Sequence, residues 1–460
     1  MSKKLKKFMI GEVIFLVVLA IAIGVSMAWS QGIELALGLL YQTTEEVPEE
    51  DIVIIDRRNA GEVALATDGE LAVHFVDVGQ GDCAVVCLPD GKNMVIDGGD
   101  NKASVEKSIK EFMDNTFDAS FEYFDYVILT HADADHCGSL DYVLENYPAR
   151  VVYRPNVEAV GTAANPYVDP GKADLTPDAL SKVSASYAKA VAAMYAANAD
   201  FTPTVYVTDP SNSEYDITGG EGDGEYSLTF YSPLSDKYKG EGADNNYSPI
   251  MILEYRGFKY AMSGDAEEGN LEEFVAKVAA AKSDGVTDKY DAFDDNYCVN
   301  VIKAGHHGSE NATTPEYLET ITSPSGAKNA YCVISCGAGN KYGHPDKAAI
   351  DRYTAIGVPD ANILRTDIAG DITISVRMDE NGVFKMFYGE QSSEAGKPVD
   401  PDDGDEEEYE PPVGEAHYVY MEVNGVKLTW GLVAWSVYGV IVVGAVLQIL
   451  SMALRSMRKK

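Results

Sequence analysis

The stretch FDYVILTHADADH, residues 124–136, decides how this chain is read. Its first half is an apolar, strand-like run. Its second half sets four candidate metal ligands, His131, Asp133, Asp135 and His136, at the exit of that strand. Packing alone gives little reason to crowd imidazoles and carboxylates there. Residues i and i+2 share a side in extended chain, so His131 and Asp133 can face one ion while a turn at Asp135-His136 aims a second pair at another.

Working outward, the same pattern recurs. KYAM (259–262) runs into Ser263-Gly264-Asp265, and VNVIK (299–303) into Ala304-Gly305-His306-His307-Gly308-Ser309. AYCVISCG (330–337) leads to Tyr342-Gly343-His344-Pro345-Asp346. Of the chain's 7 histidines, only His74 and His417 fall outside these motifs, and both read as ordinary strand or surface residues. Strand ends presenting His and Asp to a shared rim make a two-metal site, and mixed imidazole and carboxylate ligands suit zinc, iron or manganese. Such a pair lowers the pKa of a bound water, orients a phosphoryl or acyl group and neutralises transition-state charge.

The surrounding sequence indicates an α/β body. LAVHFVDVGQGDCAVVCLP (71–89) reads as two strands around the turn Gly79-Gln80-Gly81, and NMVIDGG (93–99) as another strand. Residues 178–197 read as a helix and 208–225 as loop. The six cysteines permit disulfides but fit buried thiols equally well, and no CxxC zinc pattern exists.

These motifs in this order resemble the metallo-β-lactamase fold. They are similar above all to the extracellular metallo-β-lactamase-like domain of ComEC, the DNA-uptake channel protein of competent bacteria. The matching stretches are HFVDVGQGDCAVV (74–86), VIDGG (95–99), VILTHADADHCGSL (127–140), DNNYSPIMILEY (244–255), SGDAE (263–267), VIKAGHHGSEN (301–311) and GNKYGHPD (339–346). The resemblance covers residues 70–390 and implies a four-layer αββα sandwich holding two divalent ions, manganese or zinc. By position, His131 and Asp133 would hold the first ion, Asp135, His136 and His306 the second, and Asp265 would bridge. Asp77 would orient a ligand without binding directly. His344, or less favourably His307, would donate a proton to the leaving oxygen, and His307 could instead support His306. Lys303 and His344 would contact the phosphate. Two departures mark the ComEC-like branch: Asp133 where the general fold uses His, and no His across 244–248, where Asp244, Asn245, Asn246 and Ser248 stand. The oxygen-rich first site favours manganese somewhat over zinc. Asp346 stands where ComEC relatives tend to carry a second His.

The ends of the chain have another character. Val13 to Ala28 is almost wholly apolar behind Lys3, Lys4, Lys6 and Lys7, and reads as a membrane anchor or a signal peptide within 1–30. Residues 428–454 carry no charge and are long enough to cross a bilayer; the tail 455–460 is basic. The positive-inside rule then puts both termini in the cytoplasm at the plasma membrane and the body outside it. The three tryptophans, Trp29, Trp430 and Trp435, lie near these spans. Residues 31–69 read as juxtamembrane, and 391–427 as an acidic linker followed by a hairpin around Asn424-Gly425.

The formal net charge of −37 excludes a protein that coats nucleic acid through a basic face. Two divalent ions would still draw a phosphodiester to an acidic body. The expected function is a membrane-anchored, extracytoplasmic metal-dependent hydrolase, a phosphodiesterase or nuclease with DNA as one candidate substrate. Alternatives are hydrolysis of a small phosphodiester or cell-wall phosphoester, and a non-catalytic binding module. Membrane lipid and a separate channel or transport partner complete the expectation.

Overall fold

Alternation along each strand sorts side chains onto two faces, and two apolar faces per sheet require cover on both sides. In Glu70–Phe75, the residues Leu71, Val73 and Phe75 enter one core. In Asn93–Ile96, Met94 and Ile96 enter that same core, while Val95 turns to another. The result is two sheets packed face to face with helices on both outer surfaces.

The computed structural model describes residues 53–56, 69–378 apart from 119–120, 221, 223–224, 236, 240–241 and 285–287, and then 384–391, 419–423 and 426–429. Among the described residues the first sheet has 9 strands and is mixed, with Glu70–Phe75, Ala84–Cys87, Asn93–Ile96, Phe124–Ile128 and Ala149–Arg154 as neighbours in that order. The second has 7, running from Ile217–Gly219 to Ile363–Arg365. Between them lies a core that joins Leu71, Val73 and Ile128 to Leu228, Leu253 and Val301. Burying each such side chain is worth about 1.5–3 kcal/mol.

Outside the first sheet, Val85, Val95 and Val127 pack on the helices Ala103–Thr116 and Ala185–Met194 through Ile109, Phe112 and Val191. Outside the second, Ile252 and Ile302 meet Leu271 and Phe274 of the helix Glu268–Asp284. This is the expected αββα sandwich.

Three local readings change. Residues 180–183 form a strand, and the helix begins only at Ala185, because Ser184 accepts a hydrogen bond from the Tyr187 amide and caps it there. The segment 208–225 contributes Ile217–Gly219 to the second sheet. Val53–Asp56 pairs in parallel with Phe384–Gln391, so the first sheet takes a strand from within the stretch read as juxtamembrane. The six cysteines are unpaired thiols.

The chain divides into two units, Met1–Asp400 and Pro401–Lys460. In the second, Val419–Val423 and Val426–Thr429 pair antiparallel with Val423 opposite Val426, the hairpin expected from Asn-Gly. That strand takes in the first two residues of the apolar segment 428–454. The rest of that segment, residues 1–52, the tail 455–460 and all three tryptophans lie outside the described residues. No helix among the described residues is long and apolar enough to cross a membrane.

Candidate metal centre

Parallel pairing brings the motif-bearing strand ends to a common rim. In the first sheet, Asn93–Ile96 runs parallel to Phe124–Ile128, and their exits carry Asp97 and Thr130-His131. In the second, Phe258–Met262, Val301–Lys303 and Tyr331–Ile334 run parallel, and the exits of the first two carry Asp265 and His306-His307. Sites in α/β folds form outside such carboxyl ends. The single helical turn Ala134–Cys137 then buries His136.

His136 is fixed on one side by Asp97, with Nδ1 2.7 Å from Oδ2. Its Nε2 lies 3.2 Å from Asp265 Oδ2 and 3.4 Å from His307 Nε2. His307 is fixed behind by the Ser335 carbonyl at 3.0 Å and Asp82 at 3.3 Å from Nδ1. Its Nε2 lies 3.2 Å from Asp135 Oδ2 and 3.5 Å from Asp265 Oδ2. Asp82, His136, Asp265 and His307 are all buried and offer ligand atoms within 4.8 Å of one another.

His131 supplies the sharpest test of whether a cation belongs here. Thr130 has one hydroxyl proton, and it goes to Asp97 Oδ2 at 2.8 Å. The contact between Thr130 Oγ1 and His131 Nδ1, 3.1 Å, therefore has the imidazole as donor. That assignment leaves Nε2 as a bare lone pair. It faces Asp265 Oδ2 at 3.8 Å and Asp133 Oδ2 at 4.0 Å. Nε2 is buried and has no hydrogen-bond partner among the described residues, and neither has Asp265 Oδ1. An imidazole lone pair between a buried carboxylate, Asp265, and a more open one, Asp133, is satisfied by a positive ion, and nitrogen with oxygen donors suits zinc, manganese or iron.

The backbone is bent to make this arrangement. His306 and His307 both adopt left-handed angles, φ 45° and 53°, which cost a non-glycine residue about 1 kcal/mol or more each. Gly264 has φ +50°, and a Cβ there would lie 2.8 Å from Thr130 Cβ, so only glycine lets the two sheets' motifs meet.

The charges interlock. Burial alone would raise the Asp265 carboxyl, but His136, His307 and His306 outweigh it and hold it well below the carboxylate range. Burial opposes the charged form of His307 too, yet Asp265, Asp135 and Asp82 raise it to about 10. Burial and the neighbouring His136 lower His131, in keeping with a neutral ligand. Burial would raise Asp135, but the hydrogen bond from His307 and the charge of His136 carry it below its ordinary value. The imidazolium charges thus do for the acids what a bound cation would do.

The sequence candidates fall into place unevenly. His131, Asp133, Asp135, His136, Asp265 and both His306 and His307 gather at the rim. The depths of the last two are the reverse of those expected. His307 is buried in the four-residue cluster. His306 is about a quarter exposed, with Nε2 3.7 Å from Asp265 and Nδ1 3.2 Å from Glu267. Asp133 reaches outward, 2.6 Å from Lys182 Nζ. His344 stands at the mouth, its ring centroid 5.6 Å from that of His306. Lys303, expected on the phosphate, lies beneath the cluster, 2.9 Å from Asp82 and donating to the Ala304 carbonyl. Asp77 shapes the glycine turn, its carboxylate accepting from the Gly79 amide and its own amide donating to Asp371. The turn folds the chain back, so it is Asp82 that reaches the cluster. His74 is buried in its strand, 2.8 Å from Thr373 Oγ1, and His417 lies outside the described residues.

Sequence reasoning assigned no role to Asp82, Asp97, Glu267 or Lys182. Asp97 had a usable signal: an acid directly after a buried strand, before Gly98-Gly99. Lys182 had none, since it sits in the stretch read as helix.

Above the cluster opens a cleft of about 700 Å³, lined in part by Asp133, Asp135, Asp265, His306, His307 and His344. A mononucleotide-sized group fits such a volume.

Residues 76–297 match the family described as the metallo-beta-lactamase superfamily. The chain is 24% identical over 335 residues to ComE operon protein 3 of Bacillus subtilis, a match covering 70% of this chain and 35% of that protein. The chain thus spans about a third of the length of that curated relative. Similar solved structures include Igni18, a metallo hydrolase from Ignicoccus hospitalis, at 10% identity and TM-score 0.33, covering 67% of this chain and 100% of that one. CmlA, a diiron beta-hydroxylase from Streptomyces venezuelae, aligns at 12% identity and TM-score 0.30, covering 67% and 54%.

Proposed function

We propose, from the premise that this chain carries a metallo-β-lactamase superfamily domain related to competence proteins, that it is a metal-dependent phosphodiesterase held at the outer face of the plasma membrane. The observation that carries the reading is the buried His131 Nε2, without a hydrogen-bond partner among the described residues and facing Asp265 and Asp133, beside the cluster of Asp82, His136, Asp265 and His307. His131, Asp133 and Asp265 would hold one divalent ion. Asp135, His136, His307 and Asp265 would hold a second, with His306 near enough to Asp265 to join. Such ions lower the pKa of bound water and neutralise charge on a phosphoryl group.

The chain's own groups supply the rest. Asp97 holds His136 and, through Thr130, His131 in the tautomers that point Nε2 at the ions. Asp82 and Ser335 do the same for His307. His344, at the mouth of the cleft, would give the leaving oxygen its proton as an imidazolium; burial lowers its pKa and opposes that form, while Asp346, 3.7 Å from its Nδ1, favours it. The apolar ends, with basic residues outside each, support anchoring with the body beyond the cytoplasm.

A substrate panel tests this reading. Purified protein with manganese, given single-stranded DNA, double-stranded DNA and bis-nitrophenyl phosphate, should cleave at least one. DNA cleavage identifies a nuclease. Turnover of the small ester alone identifies a small-phosphodiester hydrolase. An elemental count near zero metal per chain together with no turnover would make it a binding module.

A further inference from the structure

Residues 155–184 form an insert between the strand Ala149–Arg154 and the helix Ala185–Met194. Its core is a two-stranded parallel ribbon, Val157–Val160 with Leu180–Val183, in which Ala159 lies opposite Lys182. The ribbon is bolted down by a buried pair. Arg154 and Asp169 have fully buried side chains and meet at 2.7 Å. Arg154 also donates to the Val157 carbonyl, and Asp169 accepts from the amides of Ala159 and Gly171. A buried ion pair gives little net stability but fixes geometry strongly when its remaining bonds are satisfied. What it fixes here is Val157–Val160, the strand against which the strand bearing Lys182 pairs.

Lys182 Nζ contacts Asp133 at 2.6 Å and also pairs with Asp244. An ammonium has three donors, and the third has no partner among the described residues. Its side chain is 31% exposed and lines the cleft. Among the described residues Lys182 is the one lysine or arginine that does so, against Asp133, Asp135, Asp244, Asp265 and Glu267. Lys303 is spent on Asp82 below. An anionic ester entering this acid-rich cleft meets one side-chain ammonium, and it is this one.

We infer that Lys182 is the phosphate-contacting cation of the site, held ready by Asp133 and Asp244 and carried there by the clamped insert. The inference rests on the proposed phosphodiesterase reading and names the residue through which the ester is seated.

The test uses the full-length chain loaded with manganese, as wild type, K182M and K182R. Binding of inorganic phosphate is measured by calorimetry, alongside the manganese count per chain and the KM and kcat for bis-nitrophenyl phosphate. The expected result is phosphate affinity and KM about tenfold weaker in K182M, with kcat changed less, the manganese count unchanged, and affinity largely restored in K182R. Unchanged phosphate binding in K182M overturns this inference while leaving the phosphodiesterase reading standing. So does K182M taking up an additional manganese ion per chain, which would make Lys182 a stand-in for a metal. Wild-type protein that neither binds phosphate nor turns over the ester overturns both.

Discussion

His136 Nδ1 lies 2.7 Å from Asp97 Oδ2, with both side chains buried. This contact fixes which nitrogen of His136 faces the cluster, and Asp97 governs His131 as well through the hydroxyl of Thr130. In Asp97→Asn one of the two acceptor positions becomes an NH2 donor, set either against the Thr130 hydroxyl and His136 Nδ1 or against the Thr130 amide. Manganese affinity, read by competition with a chelator, should fall about 10–100-fold while circular dichroism stays that of the wild type. Unchanged affinity would show that the orientation of these rings does not matter.

The two adjacent histidines separate by depth. His307 sits among Asp82, Asp135, His136 and Asp265, whereas His306 reaches only Asp265 and Glu267 from a more open position. Metal counts after dialysis should therefore drop further in His307→Ala than in His306→Ala. The opposite order would restore the assignment suggested by resemblance alone.

Asp371 carries a pH dependence of stability away from the cluster. Burial pushes its carboxyl up to about 6, partly offset by the hydrogen bond from the Asp77 amide, with the Asp77 charge adding to the rise. The folded chain thus binds a proton there more tightly than the unfolded chain. Stability falls as pH rises from the ordinary carboxylate range to about 6 and stays lower above it. Asp371→Asn keeps an oxygen for the Asp77 amide and removes the buried charge. Denaturant unfolding should show it more stable than wild type by about 1–2 kcal/mol at pH 8, with little difference at pH 4. Equal stability at pH 8 would refute this.

The clamp under the insert is a stability prediction as well. Arg154→Met leaves Asp169 buried without its partner and should cost about 3–5 kcal/mol in urea unfolding. Arg154→Met with Asp169→Leu should recover a good part of that loss, because no charge is then stranded. A single variant as stable as wild type would show that the pair is solvated.

The α/β body and the placing of His and Asp at strand ends were legible from short-range rules, whereas the αββα sandwich and the sharing of ligands between two ions came from the resemblance. Period-two runs such as Leu71, Val73 and Phe75 mark strands, and ligands that follow them directly must lie at strand ends. What stayed hidden depends on long-range folding. Nothing local separates His306 from His307, since their left-handed backbone decides which ring goes inward. Lys303 reads as an available cation until the sheets pack and Asp82 captures it. The strand at 180–183 resembles helix because its alanine-rich continuation dominates the window, and with it went the signal for Lys182.

Asp265 is shared by His131, His136, His306 and His307, and the proposed metal-dependent hydrolysis rests on it. Its most direct test is turnover of bis-nitrophenyl phosphate with manganese by wild type and Asp265→Asn. Wild-type turnover should be measurable, vanish on chelation and fall more than about a hundredfold in the variant, beyond what loss of a supporting partner costs. Turnover in Asp265→Asn equal to that of the wild type would contradict it.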